Sequence, residues 1–147
     1  MRVSAKGEYA LKALLDLSAR DKQGLQPIQD IAARQAIPQR YLEQVLLQLK
    51  RAGFLESRRG ALGGYRLNRP PDQVTVGAVL RAVEGAATGG DSPRRGRPMQ
   101  GENARELSEL WGEIDDAVSA VVDRVTLEDL RRRAEERRSS GRLMYHI

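Results

Sequence analysis

Residues 39 to 44 read Gln39-Arg40-Tyr41-Leu42-Glu43-Gln44, and all but Leu42 carry hydrogen-bonding chemistry suited to base recognition. Arginine pairs bidentately with the major-groove edge of guanine, glutamine with that of adenine, and a carboxylate accepts from the amino group of cytosine. Further along, Arg58 and Arg59 stand beside Gly60, Gly63, Gly64 and Tyr65, so guanidinium and backbone can approach a polyanion together. Arg2, Ser4 and Lys6 near the start of the chain complete the candidate DNA-contacting set. Other chemistries are poorly supplied. The 147 residues hold no cysteine and a single histidine, His146, which leaves few ways to assemble a thiolate metal centre or a nucleophile–base pair. No enzyme activity, cofactor or metal is expected, and His146 reads as a surface or interface residue.

Base-reading side chains need an element that buries one face and presents the other. Leu42, Val45, Leu46 and Leu49 follow helical spacing to about Ala52, with Pro38 at the first helical position and Gly53 as the stop, so residues 39, 40, 41, 43 and 44 lie off the apolar stripe. Before it, Ser4 N-caps a helix to about Arg20 carrying Ala10, Leu11, Leu14, Leu15 and Leu17, and Pro27 leads a short helix with Ile28, Ile31 and Ala32 on one face. After it, Phe54 to Arg58 and Tyr65 to Leu67 are extended runs joined by a glycine-rich loop, which predicts a hairpin. Pro70-Pro71 ends that hairpin, and Thr75 caps a brief helix from Val76 to Glu84, stopped by Gly85. Two short helices, a tight turn and a hairpin form the order of a winged helix-turn-helix, whose second helix enters the major groove. A solvated helix would tolerate the same polar set, and an ordinary glycine turn the same arginines. The segment Gly60-Ala61-Leu62-Gly63 also has the form of an RNA-clamping KH loop, which needs a helix on each side.

The remaining chain supports this unit. Residues 1–76 hold 13 Lys and Arg against 7 Asp and Glu, whereas residues 77–147 hold 12 against 13, so the basic excess lies in the front half, as a polyanion partner requires. Residues 86–103, rich in Gly, Pro and Arg, read as a flexible loop. Beyond it Leu107, Leu110, Trp111, Ile114, Val118, Val121 and Val125 recur at steps of three and four, an apolar seam suited to dimerisation. A protein-interaction module built on this helix alone would need neither wing nor front-half charge. Thr126 and Asp129 resemble a capping box for a final helix from Leu127 to about Arg138, followed by an apolar tail. The expected fold is therefore mostly α: a winged helix-turn-helix with a small β-hairpin wing over residues 1–85, the loop 86–103, and a long dimerisation helix, short helix and tail over 104–147. No long apolar run or signal-like start is present, so a cytoplasmic protein without membrane contact is expected.

The stretches Arg2 to Ala19, Tyr41 to Leu67 (YLEQVLLQLKRAGFLESRRGALGGYRL), Val74 to Gly85 and Trp111 to Leu130 closely resemble the Rrf2 family of bacterial transcription regulators. The resemblance implies a homodimer that binds a palindromic operator in double-stranded DNA through recognition helix and wing, with Tyr41, Glu43, Gln44 and Arg59 at DNA-contacting positions. Many members hold an iron–sulfur cluster by three cysteines in the span that here runs from Gly85 to Ser108, where this chain has none. In that respect it resembles the family's repressors of cysteine metabolism, which sense through a partner protein, cysteine synthase. Without a cluster, control is expected from a small molecule or protein bound near the loop Gly89 to Gly101 or the tail Leu143 to Ile147.

Overall fold

A hydroxyl one residue ahead of an apolar-periodic run can satisfy the orphan amides of a first helical turn. Ser4 does this: its Oγ accepts from the Gly7 amide at 3.1 Å, and α1 (Ala5–Ala19) follows, burying Ala10, Ala13, Leu14 and Leu17. The computed structural model describes residues 3–84 and 100–145, with side chains to residue 141. Arg2, His146, the stop at Gly85 and most of the loop 86–103 lie outside the described residues, as do the side chains of the tail.

A 3₁₀ turn (Asp21–Gln23), not evident in the sequence, leads into α2 (Ile28–Gln35), whose Ile31 is fully buried. The turn to the next helix passes through Ala36 at φ 53°, a left-handed conformation costing a residue with Cβ roughly 1–2 kcal/mol. Helix α3 (Gln39–Arg51) starts one residue later than the sequence suggests, because Pro38 is the cap. The proline ring suits either position through φ; the extended ψ of 125° decides it, and the Pro38 carbonyl accepts from the Leu42 amide at 3.1 Å. Leu42, Val45, Leu46 and Leu49 are all buried, as their spacing requires.

Strand β1 (Leu55–Arg58) pairs antiparallel with β2 (Gly64–Leu67) in the register Leu55 to Leu67 and Arg58 to Gly64. Leu55 and Leu67 turn into the core, while Glu56 and Arg66 form an ion pair across the strands. Gln26, ahead of α2, extends this sheet: its amide donates to the Tyr65 carbonyl at 2.8 Å and its carbonyl accepts from the Tyr65 amide at 2.9 Å. Beneath the join, Asp16 is buried and accepts from Arg34 Nε at 2.9 Å, Arg34 NH2 at 2.7 Å, Arg20 at 3.1 Å and Gln35 at 3.2 Å. Arg34 also donates to Gln26 Oε1 at 3.0 Å.

After a second 3₁₀ turn (Pro71–Gln73), Thr75 Oγ1 accepts from Ala78 and caps α4 (Val76–Glu84). Helix α5 (Ala104–Val122) leaves the core, burying only Val122. Helix α6 (Leu127–Tyr145) returns to it with a fully buried Leu127. Its start is the reciprocal box read in the sequence: the Thr126 amide donates to Asp129 Oδ2 at 2.9 Å and the Asp129 amide to Thr126 Oγ1 at 3.1 Å. The Thr126 amide holds the Asp129 carboxyl below its ordinary pKa. The helix runs seven residues past Arg138, because no proline interrupts residues 139 to 145 and Gly141 alone does not stop it. Main-chain bonds from Val76 to Val125 and from Leu127 to Val74, both 2.9 Å, bind this turn to α4.

Gly64 sits at φ 151°, and a Cβ there would stand 2.4 Å from the Gln26 carbonyl oxygen. Gly64→Ala is expected to open the Gln26–Tyr65 join locally, raising hydrogen exchange at those two amides by about tenfold or more while the amides of Leu14 and Leu46 keep their protection. Unchanged exchange at Gln26 and Tyr65 would show that the join tolerates a side chain.

Candidate nucleic-acid interface

Packing the apolar stripe of α3 inward leaves Gln39, Arg40, Tyr41, Glu43 and Gln44 exposed on its other face. Arg40 lies over the Tyr41 ring, 5.2 Å from its centre, and donates to the Tyr41 hydroxyl at 3.4 Å. A cleft flanks α3 on either side. Toward α1, Lys6, Tyr9, Tyr41 and Gln44 line a cleft of about 490 Å³. Toward the wing, Glu43, Leu47 and Lys50 face Arg58, Arg59, Gly60, Gly63, Gly64 and Tyr65 across one of about 820 Å³, closed at its end by Gln29 and Asp30 of α2. Gln39 and Arg40 line neither cleft and mark the exposed start of the helix.

Two kinds of residue are gathered here. Among the described residues Lys6, Lys50, Arg58 and Arg59 have no carboxylate within ion-pair distance, as is also true of Lys12, Lys22, Arg51, Arg69 and Arg124 elsewhere, whereas Arg20, Arg34, Arg66, Arg81, Arg105, Arg131 and Arg132 do. What marks the two clefts is that they set four such cations beside the polar face of α3. Unpaired cations retain their charge for a polyanion; paired ones are largely neutralised. The hydrogen-bonding side chains of α3 then lie between Lys6 on one side and Lys50, Arg58 and Arg59 on the other, where Asp30 also lines the cleft. Lys50 and Leu47 were not in the sequence-derived set, although with Glu43 they stand at steps of four and seven on one helical face, a pattern that would have found them.

The wing glycines divide their labour. Gly60, at φ 113°, has nothing near its missing Cβ and faces the cleft, while Gly63 is required because a Cβ would stand 2.2 Å from the Arg58 carbonyl oxygen. Gly64 serves the join to Gln26, as described above. The loop from Gly60 to Gly63 connects two strands, so the paired helices of a KH clamp are absent around it. Ser4 is engaged internally: besides capping α1, its amide donates to Glu84 Oε1 at 3.0 Å and its hydroxyl bonds the same oxygen. Arg2 lies outside the described residues.

The long helix offers a different surface. Leu107, Leu110, Ile114 and Val121 of α5 are 40–50% exposed, and Trp111, Val118 and Val125 are partly exposed beside them. Its root is held by an ion pair from Arg81 of α4 to Asp123 at 2.6 Å, a hydrogen bond that keeps the Asp123 carboxyl below its ordinary pKa.

The chain matches the model of the Rrf2 family, described as iron-dependent transcriptional regulators, over residues 3–133. It is 36% identical over 130 residues to the HTH-type transcriptional regulator CymR of Bacillus subtilis, covering 88% of this chain and 89% of that protein. With the regulator IscR of Aliivibrio salmonicida it shares 35% identity over 130 residues, 88% of this chain and 77% of the relative. The solved structure of B. subtilis CymR superposes with a TM-score of 0.75 over 89% of this chain and 96% of that one, and T. potens IscR, 32% identical, with 0.74 over 92% and 90%. An iron–sulfur cluster does not fit the donor set: there is no cysteine, and among the described residues no group of three or more His, Asp or Glu stands where it could hold a metal ion. Among the described residues no helix is long and apolar enough to cross a membrane.

The Ser4–Glu84 contact ties the first turn of α1, beside Lys6, to the last residue of α4. Replacing the cap in Ser4→Ala is expected to lower unfolding free energy in urea by about 1 kcal/mol. Combined with Glu84→Gln the losses should be less than additive, and strict additivity would show that the two side chains do not act together.

Proposed function

The chain belongs to the Rrf2 family of DNA-binding transcription regulators, and from that premise we propose that it acts as a homodimeric repressor on a palindromic operator, with α3 in the major groove and the wing against the adjacent backbone and minor groove. One observation carries this: the exposed polar face of α3 lies between two clefts whose cations, Lys6 on one side and Lys50, Arg58 and Arg59 on the other, lack carboxylate partners among the described residues. In this reading Gln44 and Glu43 carry base contacts, Tyr41 and Arg40 support them as a stacked pair, and the cations position the helix on phosphate. Gly60 allows the backbone to approach closely.

A dimer is supported by the apolar seam of α5, which a single chain leaves in water. Two copies related by a two-fold axis bury it and place two recognition helices about 34–36 Å apart, one turn of DNA, which is the reason for a palindrome. The likeness to CymR, described as the global cysteine regulator of B. subtilis, supports cysteine metabolism as the regulated process; a partner enzyme such as cysteine synthase as the sensor rests on the cysteine-free span alone. Because the donor set does not suit a cluster, no step of this mechanism passes through iron.

Replacing Ile114 and Val118 together by Glu is expected to give monomers in light scattering; a persistent dimer would place the interface elsewhere. On an operator selected from genomic fragments, Gln44→Ala should relax selectivity at one position per half-site at a cost of roughly 1–3 kcal/mol. Arg59→Ala should instead weaken binding to all sequences and reduce the dependence on salt. Equal, sequence-independent losses from both variants would remove the base-reading role of α3.

A further inference from the structure

The wing carries a feature that charge does not explain. Leu62 is 94% exposed, whereas the other exposed large hydrophobic residues of the described chain fall between 37% and 50%. It stands at the tip of the hairpin, in a turn closed by the Gly63 amide on the Gly60 carbonyl at 3.0 Å. The turn is compact, with Gly63 so close to the Arg58 carbonyl that a Cβ would come within 2.2 Å, and Leu62 is left on its outer side. An apolar side chain held this far from any neighbour gains free energy only when another surface covers it. Immediately before the turn, Arg58 and Arg59 have no carboxylate within ion-pair distance among the described residues, so their charge is available to a polyanion beside the tip.

We propose that Leu62 is an apolar wedge that enters the minor groove beneath the wing and partly unstacks the base step there; this rests on the reading of the wing as a DNA-binding element. A minor groove about 6 Å wide admits a hairpin tip and a single side chain, though not a helix. Apolar residues inserted between base steps kink duplexes toward the major groove, and pyrimidine–purine steps yield most readily. Leu62 thereby adds selectivity for deformable sequence at a position where no hydrogen bond reads a base, alongside the arginines, which sense charge.

The experiment uses the full chain and a duplex selected by it from random-sequence DNA, with 2-aminopurine placed at successive steps under the wing. Binding of the unaltered protein is expected to raise the fluorescence at one such step. Leu62→Ala should bind about tenfold more weakly or worse, with the salt slope unchanged and the fluorescence rise lost. Leu62→Met should restore both, whereas Arg59→Ala should reduce the salt slope. If Leu62→Ala binds with unaltered affinity and the same fluorescence rise, the wedge is overturned while the DNA-binding reading stands. If the unaltered chain shows no salt-sensitive, selective binding to any duplex, the wing reading falls and the wedge with it.

Discussion

A carboxylate taken out of water must be surrounded by donors or it destabilises the fold by several kcal/mol. Asp16 meets that condition with Arg20 from the end of its own helix and Arg34 and Gln35 from the last turn of α2. Satisfying this one charge fixes where α2 ends relative to α1. Arg34 then reaches Gln26, whose main chain pairs with Tyr65, so the angle of the wing to the helices follows from the same group. A leucine at position 16 would fill the core but leave the guanidinium of Arg34 without its bidentate acceptor. The hydrogen bond to Asp16 keeps that guanidinium firmly protonated, its pKa raised above the ordinary arginine value.

The two clefts beside α3 are consequences of this arrangement. The helix is seated by Leu42, Val45, Leu46 and Leu49, which fix its rotation. The wing follows it through the turn at Gly53, where the Phe54 amide donates to the Leu49 carbonyl at 3.0 Å, and is tied to the segment ahead of α2 by the Gln26–Tyr65 join. Rotation decides that Gln44 faces Lys6 and that Glu43 faces Arg58 and Arg59. Core packing thereby gives each cleft one hydrogen-bonding side chain of the α3 face, Gln44 or Glu43, beside at least one cation, the combination the proposed reading head requires.

The helices, hairpin and capping box were legible because each follows from local rules: a period of 3.6, alternation about glycine, and a hydroxyl three residues from a carboxylate. Leu47 and Lys50 were missed as cleft residues, although their spacing of four and seven from Glu43 was a signal present in the sequence. The Gln26–Tyr65 bridge was not legible, because a single residue pairing with a distant strand leaves no periodic trace. Nor was the buried state of Asp16: its partners lie up to 19 residues away, and in sequence an aspartate within a helix reads as solvated. The cap role of Pro38 and the length of α6 depended on ψ and on the lack of a stop, which composition does not specify.

The same distinction bears on how the reading head and the long helix communicate. Helix α4 spans only nine residues, yet Arg81 grips Asp123 at the root of α5 while Glu84 grips the first turn of α1. The two contacts stand three residues apart, within one turn of the same helix. A signal must act differently on the DNA-bound and free forms if it is to release an operator. In the proposed dimer, a change in how the two α5 helices cross has one contiguous route through Asp123, α4 and Glu84 to the start of α1, where Lys6 and Gln44 share a cleft. The wing is held by Asp16 and Gln26, and α6, which follows α5 in the chain, lies beside Asp16, Arg34 and Gln35, so the wing has a route of its own to the long helix. In that dimer the α1 cleft, with Gln44 on its wall, is joined to the long helix through the Arg81–Asp123 and Ser4–Glu84 contacts at the two ends of α4's last turn.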